Sequence, residues 1–305
     1  MTGILEGKVL LLTGAAGGIG KECALLAGRE GASVVINDVG GSVTGSGTSV
    51  GPAESVAAQV RAAGGQAVAN AENVTSLVGV QRMVQQALDT FGGLHGVVNP
   101  AGILRDSMFH KMAEEDWNAV LDVHLRGAYN VSRATVEHFR KQGEGSYVHF
   151  TSTSGLIGNI AQANYAAAKM GVVGLSRILA LEGALKNVRS NVIAPFAWTR
   201  MIATIPVTDE ASAARVKRMQ DGMRSDQVAQ LCIALASPES KDVSGQIFVV
   251  RGNEVMLLSQ PRPVKSLARL EGWTPRSLLD HALPAMKGSF TDLGVSSSVF
   301  PYDPV

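Results

Sequence analysis

The chain has 305 residues, of which 46% are hydrophobic and 34 are glycine, and this length and composition allow one large α/β domain with a smaller appendage. Its formal net charge of +1, without a basic run, excludes the electrostatic footprint of a nucleic-acid-binding protein. The sequence contains neither a signal peptide nor an apolar span of membrane length, and residues 302–305 are not a peroxisomal address of the Ser-Lys-Leu type, so we expect a cytoplasmic protein without a membrane partner.

Strand patterns alternate with helix patterns along the first 250 residues. The predicted strands lie at about 8–13, 33–37, 66–70, 94–99, 145–151, 190–194 and 246–250. The predicted helices lie at about 19–30, 53–63, 76–91, 114–141, 164–187 and 224–236. This alternation predicts a Rossmann-like, doubly wound, seven-stranded parallel sheet with helices on both faces and a ligand site at its carboxyl edge.

The first predicted strand runs into a glycine-rich turn, residues 13–20, which is followed by an Ala- and Leu-rich helix. Glycine at positions 14, 18 and 20 lets the backbone turn sharply and approach a pyrophosphate closely, and the start of the helix attracts that anion. We therefore predict a dinucleotide site that includes Gly14, Gly18, Ile19 and Gly20. A glycine turn of purely structural significance is the alternative.

Asp38 closes the second predicted strand. A carboxylate at this point can accept hydrogen bonds from the ribose hydroxyls of NAD and would repel the 2′-phosphate of NADP. Ala15, Ala16 and Val39 offer no cation that could bind such a phosphate. NAD is therefore the predicted cofactor. The alternative is that Asp38 only caps the Gly- and Ser-rich loop of residues 39–52.

Tyr165 and Lys169 are four residues apart in a predicted helix and so project from one face. Such a pair is common on solvated helix faces, but here Ser152 precedes it at the end of a predicted strand. A nearby ammonium favours the phenolate of a tyrosine; lowering the phenol pKa from about 10 to about 7 takes roughly 4 kcal/mol. The three side chains are therefore predicted to transfer a proton to or from a substrate oxygen that Ser152 holds.

The cysteines and histidines give no metal pattern. Cys23 and Cys232 each lie within an apolar helical pattern, which predicts buried, reduced thiols. No set of His and Cys residues has the spacing of metal ligands, so no metal site is expected.

These motifs, together with Asn99-Pro-Ala-Gly102 and Pro195, resemble the short-chain dehydrogenase/reductase family in order and spacing over about residues 5–250. The resemblance implies a dehydrogenase domain over residues 1–250 with Ser152, Tyr165 and Lys169 as catalytic residues. Lys169 would lower the phenol pKa and hold the cofactor ribose. The resemblance also implies cofactor contacts from Asn73, Val74, Asn99, Ala101, Gly102, Tyr165, Lys169 and Pro195.

Within the family the chain most resembles the (3R)-hydroxyacyl-CoA dehydrogenase unit of peroxisomal multifunctional β-oxidation enzymes. The identities lie at residues 35–38, 101–106, 122–127, 158–159, 162–165, 193–195 and 200–201. They imply NAD-dependent oxidation of a 3-hydroxyacyl-CoA by a homodimer or homotetramer, with a hydratase acting in trans. The alternatives are a 17β-type hydroxysteroid dehydrogenase acting on free steroid, a 3-oxoacyl reductase, and a catalytically silent NAD-binding scaffold.

His124 departs from the pattern of most family members, which carry asparagine at this point, just ahead of a helical kink. A histidine can keep the backbone role of that asparagine, or its side chain can relay protons in catalysis. Both readings stay open. After Pro195, residues Trp198, Arg200 and Met201 match a segment that usually covers the substrate.

Residues 251–305 extend beyond the ordinary family core and contain too few apolar residues to fold alone. We expect this C-terminal extension to pack on the main domain or on a dimer partner, near the acyl pocket. A separate binding module is the alternative.

Overall fold

The computed structural model describes residues 3–42, 44–199, 209–302 and 304, so Arg200 and Met201 lie outside the described residues. Its centre is an eight-stranded sheet in the order β3-β2-β1-β4-β5-β6-β7-β8. The strands are β1 (Val9–Leu12), β2 (Ser33–Asn37), β3 (Gln66–Asn70), β4 (Gly96–Asn99), β5 (Gly145–Phe150), β6 (Val188–Phe196), β7 (Ile247–Arg251) and β8 (Glu254–Leu257). The first seven pair in parallel, as the sequence predicts.

The eighth strand is a correction to the predicted seven-stranded sheet. β8 pairs antiparallel with β7, with Arg251 opposite Glu254, across a two-residue turn. Gly252 has a φ of +59° in this turn, a conformation that glycine adopts without strain. The start of the C-terminal extension therefore belongs to the central sheet.

Two layers of helices cover the sheet. The main helices are α1 (Gly18–Arg29), α2 (Gly51–Ala62), α3 (Leu77–Phe91), α4 (Glu114–Leu121), α5 (Gly127–Gln142), α6 (Thr153–Leu156), α7 (Ala163–Gly183), α8 (Glu210–Gly222) and α9 (Ser225–Ala236). Short helices follow at α10 (Pro275–Ser277), α11 (Leu283–Met286) and α12 (Ser296–Val299). Side chains of β1 alternate between the layers: Leu10 and Leu12 pack with α1, α2 and α9, whereas Val9 and Leu11 pack with α3 and α5.

Two helical regions differ from the prediction. The single helix expected at 114–141 is α4 and α5 joined by a turn of π-helix, Asp122–Arg126, with His124 at its centre. Such turns insert an extra residue into a helix and often lie at functional sites. α8 was not expected, because its sequence has few apolar residues and hence a weak helical periodicity.

The topology places a crevice at the carboxyl ends of β1 and β4. These strands are neighbours in the sheet, and the chain leaves them toward opposite edges, which makes this the topological switch point. The described helices include none with the length and apolarity needed to cross a bilayer. Nor do the described residues gather three His, Cys, Asp or Glu side chains that could hold a metal ion.

Candidate active site

The glycine turn between β1 and α1 has a backbone shape that would not accommodate side chains at its glycine positions. Gly14 and Gly18 have φ values of +57° and +51°, in the left-handed region. A Cβ atom at Gly14 would lie 2.6 Å from the Cα of Ala101, and one at Gly20 would collide with the carbonyl oxygen of Gly14. The turn thus brings β1, α1 and the segment after β4 into close contact.

The first turn of α1 is a suitable cradle for an anion. Its N-cap residue, Gly17, has no side chain to bond the first amides, and no acidic residue lies in the first turn. Four backbone N–H groups at a helix start have no partner inside the helix, and the helix dipole adds partial positive charge there. Because Gly18 and Gly20 also leave the backbone bare, these residues fit the pyrophosphate of a dinucleotide.

Asp38 lies directly after β2 and links the glycine turn to the following loop. One carboxylate oxygen accepts a hydrogen bond from the amide of Ala16 at 3.0 Å, and the other accepts from the amide of Gly40 at 2.7 Å. Asp38 therefore caps the loop that follows β2, as the alternative interpretation predicts. Each carboxylate oxygen has a second lone pair, so these contacts leave acceptors for ribose hydroxyls.

The remaining cofactor residues predicted from the sequence follow β3 and β4. The side chain of Asn73 accepts from the amide of Thr75 at 2.9 Å, and the carbonyl of the buried Val74 accepts from Asn130 at 2.8 Å. At the end of β4, the side chain of Asn99 accepts a hydrogen bond from the hydroxyl of Thr13. These contacts fix the loops that border the crevice.

Ser152, Tyr165 and Lys169 converge beyond the end of β5. Ser152 is the N-cap of α6, and the other two lie one turn apart near the start of α7. The Lys169 ammonium, 5% exposed, donates to the carbonyl oxygen of Phe150 at 2.9 Å and lies 5.4 Å from the centre of the Tyr165 ring. The predicted catalytic side chains therefore share one site.

The pKa values of this site follow from burial. Burial raises the pKa of Tyr165 to about 12; a hydrogen bond with Ser152 lowers it, and Asp106 adds a smaller increase. Burial also lowers the pKa of Lys169 to about 7. The expected depression of the phenol pKa by Lys169 is not found here, because desolvation by burial is the largest influence on the phenol and raises its pKa.

His124 lies beneath the tyrosine. Its Nε2 atom donates to the carbonyl oxygen of Ile103 at 2.8 Å, and its ring meets the Tyr165 ring edge-on with centroids 5.1 Å apart. Gly102 is in such close contact with the imidazole that a Cβ there would collide with it. Burial, and then the charge of Lys169, lower the pKa of His124 well below its usual value, so the ring is neutral at neutral pH.

A hydrogen-bond chain beside Ser152 was missed in the sequence reasoning. The Ser152 hydroxyl donates to Ser154 Oγ at 3.1 Å, and Ser154 donates to Gln162 Oε1 at 2.8 Å. The amide of Gln162 donates in turn to Asp106 at 2.8 Å, and that of Asn159 donates to Ser154 at 2.9 Å. The only sequence signal was that Asp106, Asn159 and Gln162 lie in segments shared with the hydroxyacyl-CoA dehydrogenase subgroup; Ser154 does not.

A cavity of about 690 Å³ connects these parts. Its lining includes the predicted residues Ile19, Gly102, His124, Ser152, Tyr165, Lys169 and Pro195. The lining also includes residues of α8, for which the sequence gave no site role, and residues of the C-terminal extension, which was expected near the acyl pocket. A hydroxyl or carbonyl oxygen in this cavity can meet Ser152 and Tyr165 together, which suits proton transfer to or from that oxygen.

Comparison with known proteins gives matches over most of the chain. The sequence profile of the family described as enoyl-(acyl carrier protein) reductase matches residues 14–252. A short-chain type dehydrogenase/reductase of Mycobacterium tuberculosis is 46% identical over 251 residues, which are 82% of this chain and 84% of that protein. A hydroxyacyl-CoA dehydrogenase of the same organism is 36% identical over 284 residues, covering 90% and 87% of the two chains.

A longer relative and a solved structure agree with these matches. The peroxisomal multifunctional enzyme type 2 of Mus musculus is 38% identical over 278 residues, which are 90% of this chain but 36% of that enzyme. The chain thus spans about a third of the length of that relative. The crystal structure of a short chain dehydrogenase from Mycobacterium avium superposes with a TM-score of 0.82 at 34% identity and covers 96% of this chain and 99% of the other.

Proposed function

The chain belongs to the short-chain dehydrogenase/reductase family and is an NAD(P)-dependent oxidoreductase, and from this premise we propose that it oxidises a 3-hydroxyacyl-CoA to the 3-oxoacyl-CoA with NAD. The observation that carries the substrate class is the similarity to a hydroxyacyl-CoA dehydrogenase over 90% of the chain. An alignment of that extent must continue past residue 252, where the family profile ends. The likeness therefore includes part of the C-terminal extension, which dehydrogenation chemistry alone does not require.

In the proposed reaction, NAD supplies the acceptor for the hydride that leaves the hydroxyl-bearing carbon. Ser152 holds the substrate oxygen by a hydrogen bond. Tyr165, in its phenolate form, accepts the proton of the substrate hydroxyl. Lys169 would hold the ribose and, in its protonated form, would favour the phenolate by its charge against the opposing effect of burial. The glycine turn and Asp38 bind the pyrophosphate and the adenosine ribose.

The proposal is tested by following NADH formation with matched panels: 3R- and 3S-hydroxyacyl-CoA esters of several chain lengths, and free 17β-hydroxysteroids. We expect the acyl-CoA esters to be oxidised with kcat/KM at least about tenfold above that of any free steroid, a difference of about 1.4 kcal/mol. A preference for free steroid would replace the proposal by the hydroxysteroid dehydrogenase alternative. Turnover only in the direction of 3-oxoacyl reduction, with NADPH, would favour the biosynthetic reductase.

The cofactor preference is expected to depend on the charge of Asp38. Wild-type kcat/KM should be at least about tenfold higher with NAD than with NADP, because the carboxylate repels the 2′-phosphate. Asp38→Asn removes the charge but keeps an acceptor oxygen for Ala16 or Gly40, so it should improve the use of NADP. Asp38→Ala should narrow the preference by weakening NAD binding.

Initial rates and KM values for both cofactors measure this effect, and thermal unfolding shows whether either variant is simply less stable. Equal use of the two cofactors by the wild type would contradict the assignment of NAD.

The neutral, buried state of His124 predicts that its replacement leaves the pH profile unchanged. The pKa of His124 lies well below its usual value, so the ring carries no charge to lose between pH 6 and 8. His124→Asn should therefore keep kcat within a few-fold of the wild type, with no titration near pH 6–7 gained or lost. A pH–rate comparison of the two proteins decides the question. If the variant loses or shifts a titration in that range, the histidine relays protons.

Other parts of the proposal rest on the sequence. They are a homodimer or homotetramer, a cytoplasmic location and a hydratase that acts in trans on the same acyl-CoA. Sedimentation analysis of the purified protein tests the first of these.

A further inference from the structure

Residues 296, 297 and 300–302, near the end of the chain, line the cavity. α12 begins at Ser296, which is 5% exposed and whose amide donates to the carbonyl oxygen of Gly158 at 3.0 Å. Gly158 precedes Asn159, which belongs to the hydrogen-bond chain of Ser152. One end of this segment is therefore fixed beside the catalytic serine.

The other end is fixed by a buried arginine. Arg251, at the end of β7, is 2% exposed, and its guanidinium donates to the carbonyl oxygen of Tyr302. The same guanidinium lies 4.4 Å from the centre of the Tyr302 ring and 6.0 Å from that of Phe300. Glu254 lies 3.6 Å away and balances its charge. A guanidinium over an aromatic ring, out of water, is attracted by the ring as well as by the carbonyl.

Phe300 joins this segment to the residues around the reaction centre. Its ring meets that of Phe196 edge-on, with centroids 5.2 Å apart. Phe196 follows Pro195, one of the residues expected at the cofactor, and both line the cavity. Elsewhere in the extension, the side chains of Leu270 and Leu293 are fully exposed. We call residues 296–302 the C-terminal wall.

We propose that the C-terminal wall, held by Arg251, determines the size of the acyl group that reaches Tyr165, with Phe300 as the main selecting residue. This inference rests on the proposed function for the identity of the substrate. Phe300 narrows the cavity on the side formed by Phe196, so a branched or ring-bearing acyl group must displace the wall or be excluded. We expect an unbranched short acyl group to reach Tyr165 without displacing the wall.

The kinetic test uses the full chain and compares a four-carbon 3-hydroxyacyl-CoA with a bulky, ring-bearing one. Phe300→Ala should raise the ratio of kcat/KM for the bulky ester to that for the short ester at least about tenfold, while NADH binding stays unchanged. Leu293→Ala is the control, because it removes a large apolar side chain of the extension outside the wall. A ratio in Phe300→Ala within about twofold of the wild type would overturn the inference.

Arg251→Met provides a second variant. It removes the hydrogen bond to Tyr302 and the contacts with both rings, but it does not replace Phe300. Because the wall is then no longer held, the ratio of kcat/KM for the bulky ester to that for the short ester should also rise. Removing one partner of a buried ion pair is strongly destabilising, so thermal unfolding accompanies the measurement. Phe300→Ala remains decisive if Arg251→Met does not fold.

A chemical test separates this inference from the proposed function. Both cysteines of the chain, Cys23 and Cys232, are buried, so a cysteine placed at the cavity residue Met219 offers an accessible thiol. In Met219→Cys, a small methanethiosulfonate should react readily and a bulky fluorescein maleimide slowly. Adding Phe300→Ala should speed the bulky reagent at least about tenfold, as expected for an opened cavity. Equal maleimide rates in Met219→Cys with and without Phe300→Ala would overturn the inference about the wall, whether or not any acyl-CoA is a substrate. If no acyl-CoA ester is turned over but the maleimide rates still differ between the two variants, only the proposed function is overturned.

Discussion

Tyr165→Phe is expected to lower kcat by about 10²- to 10⁴-fold, the range that a positioned acid or base contributes. The substitution removes only the phenolic oxygen, and the ring can keep its edge contact with His124. NADH binding should change little, because the proposed dinucleotide site consists mainly of the glycine turn and Asp38. Steady-state kinetics and fluorescence titration of NADH measure the two effects separately.

Tyr129→Phe is the control for this prediction. Tyr129 lies on α5, is 49% exposed and is outside the cavity lining, so loss of its hydroxyl should leave kcat unchanged. If Tyr165→Phe kept near-normal turnover, the proton would leave by another group, and the assignment of the site would be wrong.

Lys169→Met is expected to abolish most of the activity and yet to stabilise the fold at neutral pH. Burial lowers the pKa of Lys169 to about 7, whereas the unfolded chain keeps a lysine pKa near 10.4. Between these values the unfolded state binds the extra proton, so wild-type stability rises as the pH rises from about 7 to about 10. Below about pH 7 both states are protonated, and the full penalty for burying the charge remains.

The variant lacks this ionisation, so its stability advantage should be largest at or below pH 7. It should shrink by about 2–3 kcal/mol between pH 7 and pH 9, two pH units at 1.36 kcal/mol each. Urea unfolding at both pH values measures the change. Lys141→Met, at an exposed lysine of α5, should show no such pH-dependent difference. An equal dependence in both variants would mean that Lys169 is not the group that titrates.

The parts of the site that are local in sequence were predictable. The glycine turn needs Gly14, Gly18 and Gly20 at fixed distances from the end of one strand, and the spacing of Tyr165 and Lys169 follows from the pitch of one helix. The seven parallel strands were predictable for the same reason, since each is a short apolar run between helices. The sequence also placed Asp38 after β2 and Ser152 after β5.

Other features required contacts between distant segments. The strand β8 depends on a chain reversal at Gly252 and on pairing with β7. The largely apolar sequence of its four positions specifies neither feature. The π-helical turn at His124 interrupts a pattern that is continuous in the sequence. Its imidazole lies between the Ile103 carbonyl and the Tyr165 ring, which come from two other elements.

The sequence by itself therefore determined the fold family, the glycine turn and the placement of the proposed proton-transfer residues, because backbone geometry links their spacing directly to their positions. Only the tertiary structure decided the ionisation of Tyr165 and Lys169, the neutral state of His124, and the course of the C-terminal wall over the cavity. Desolvation and long-range hydrogen bonds set these properties. Both depend on which distant side chains exclude water from a group, and no local spacing encodes that.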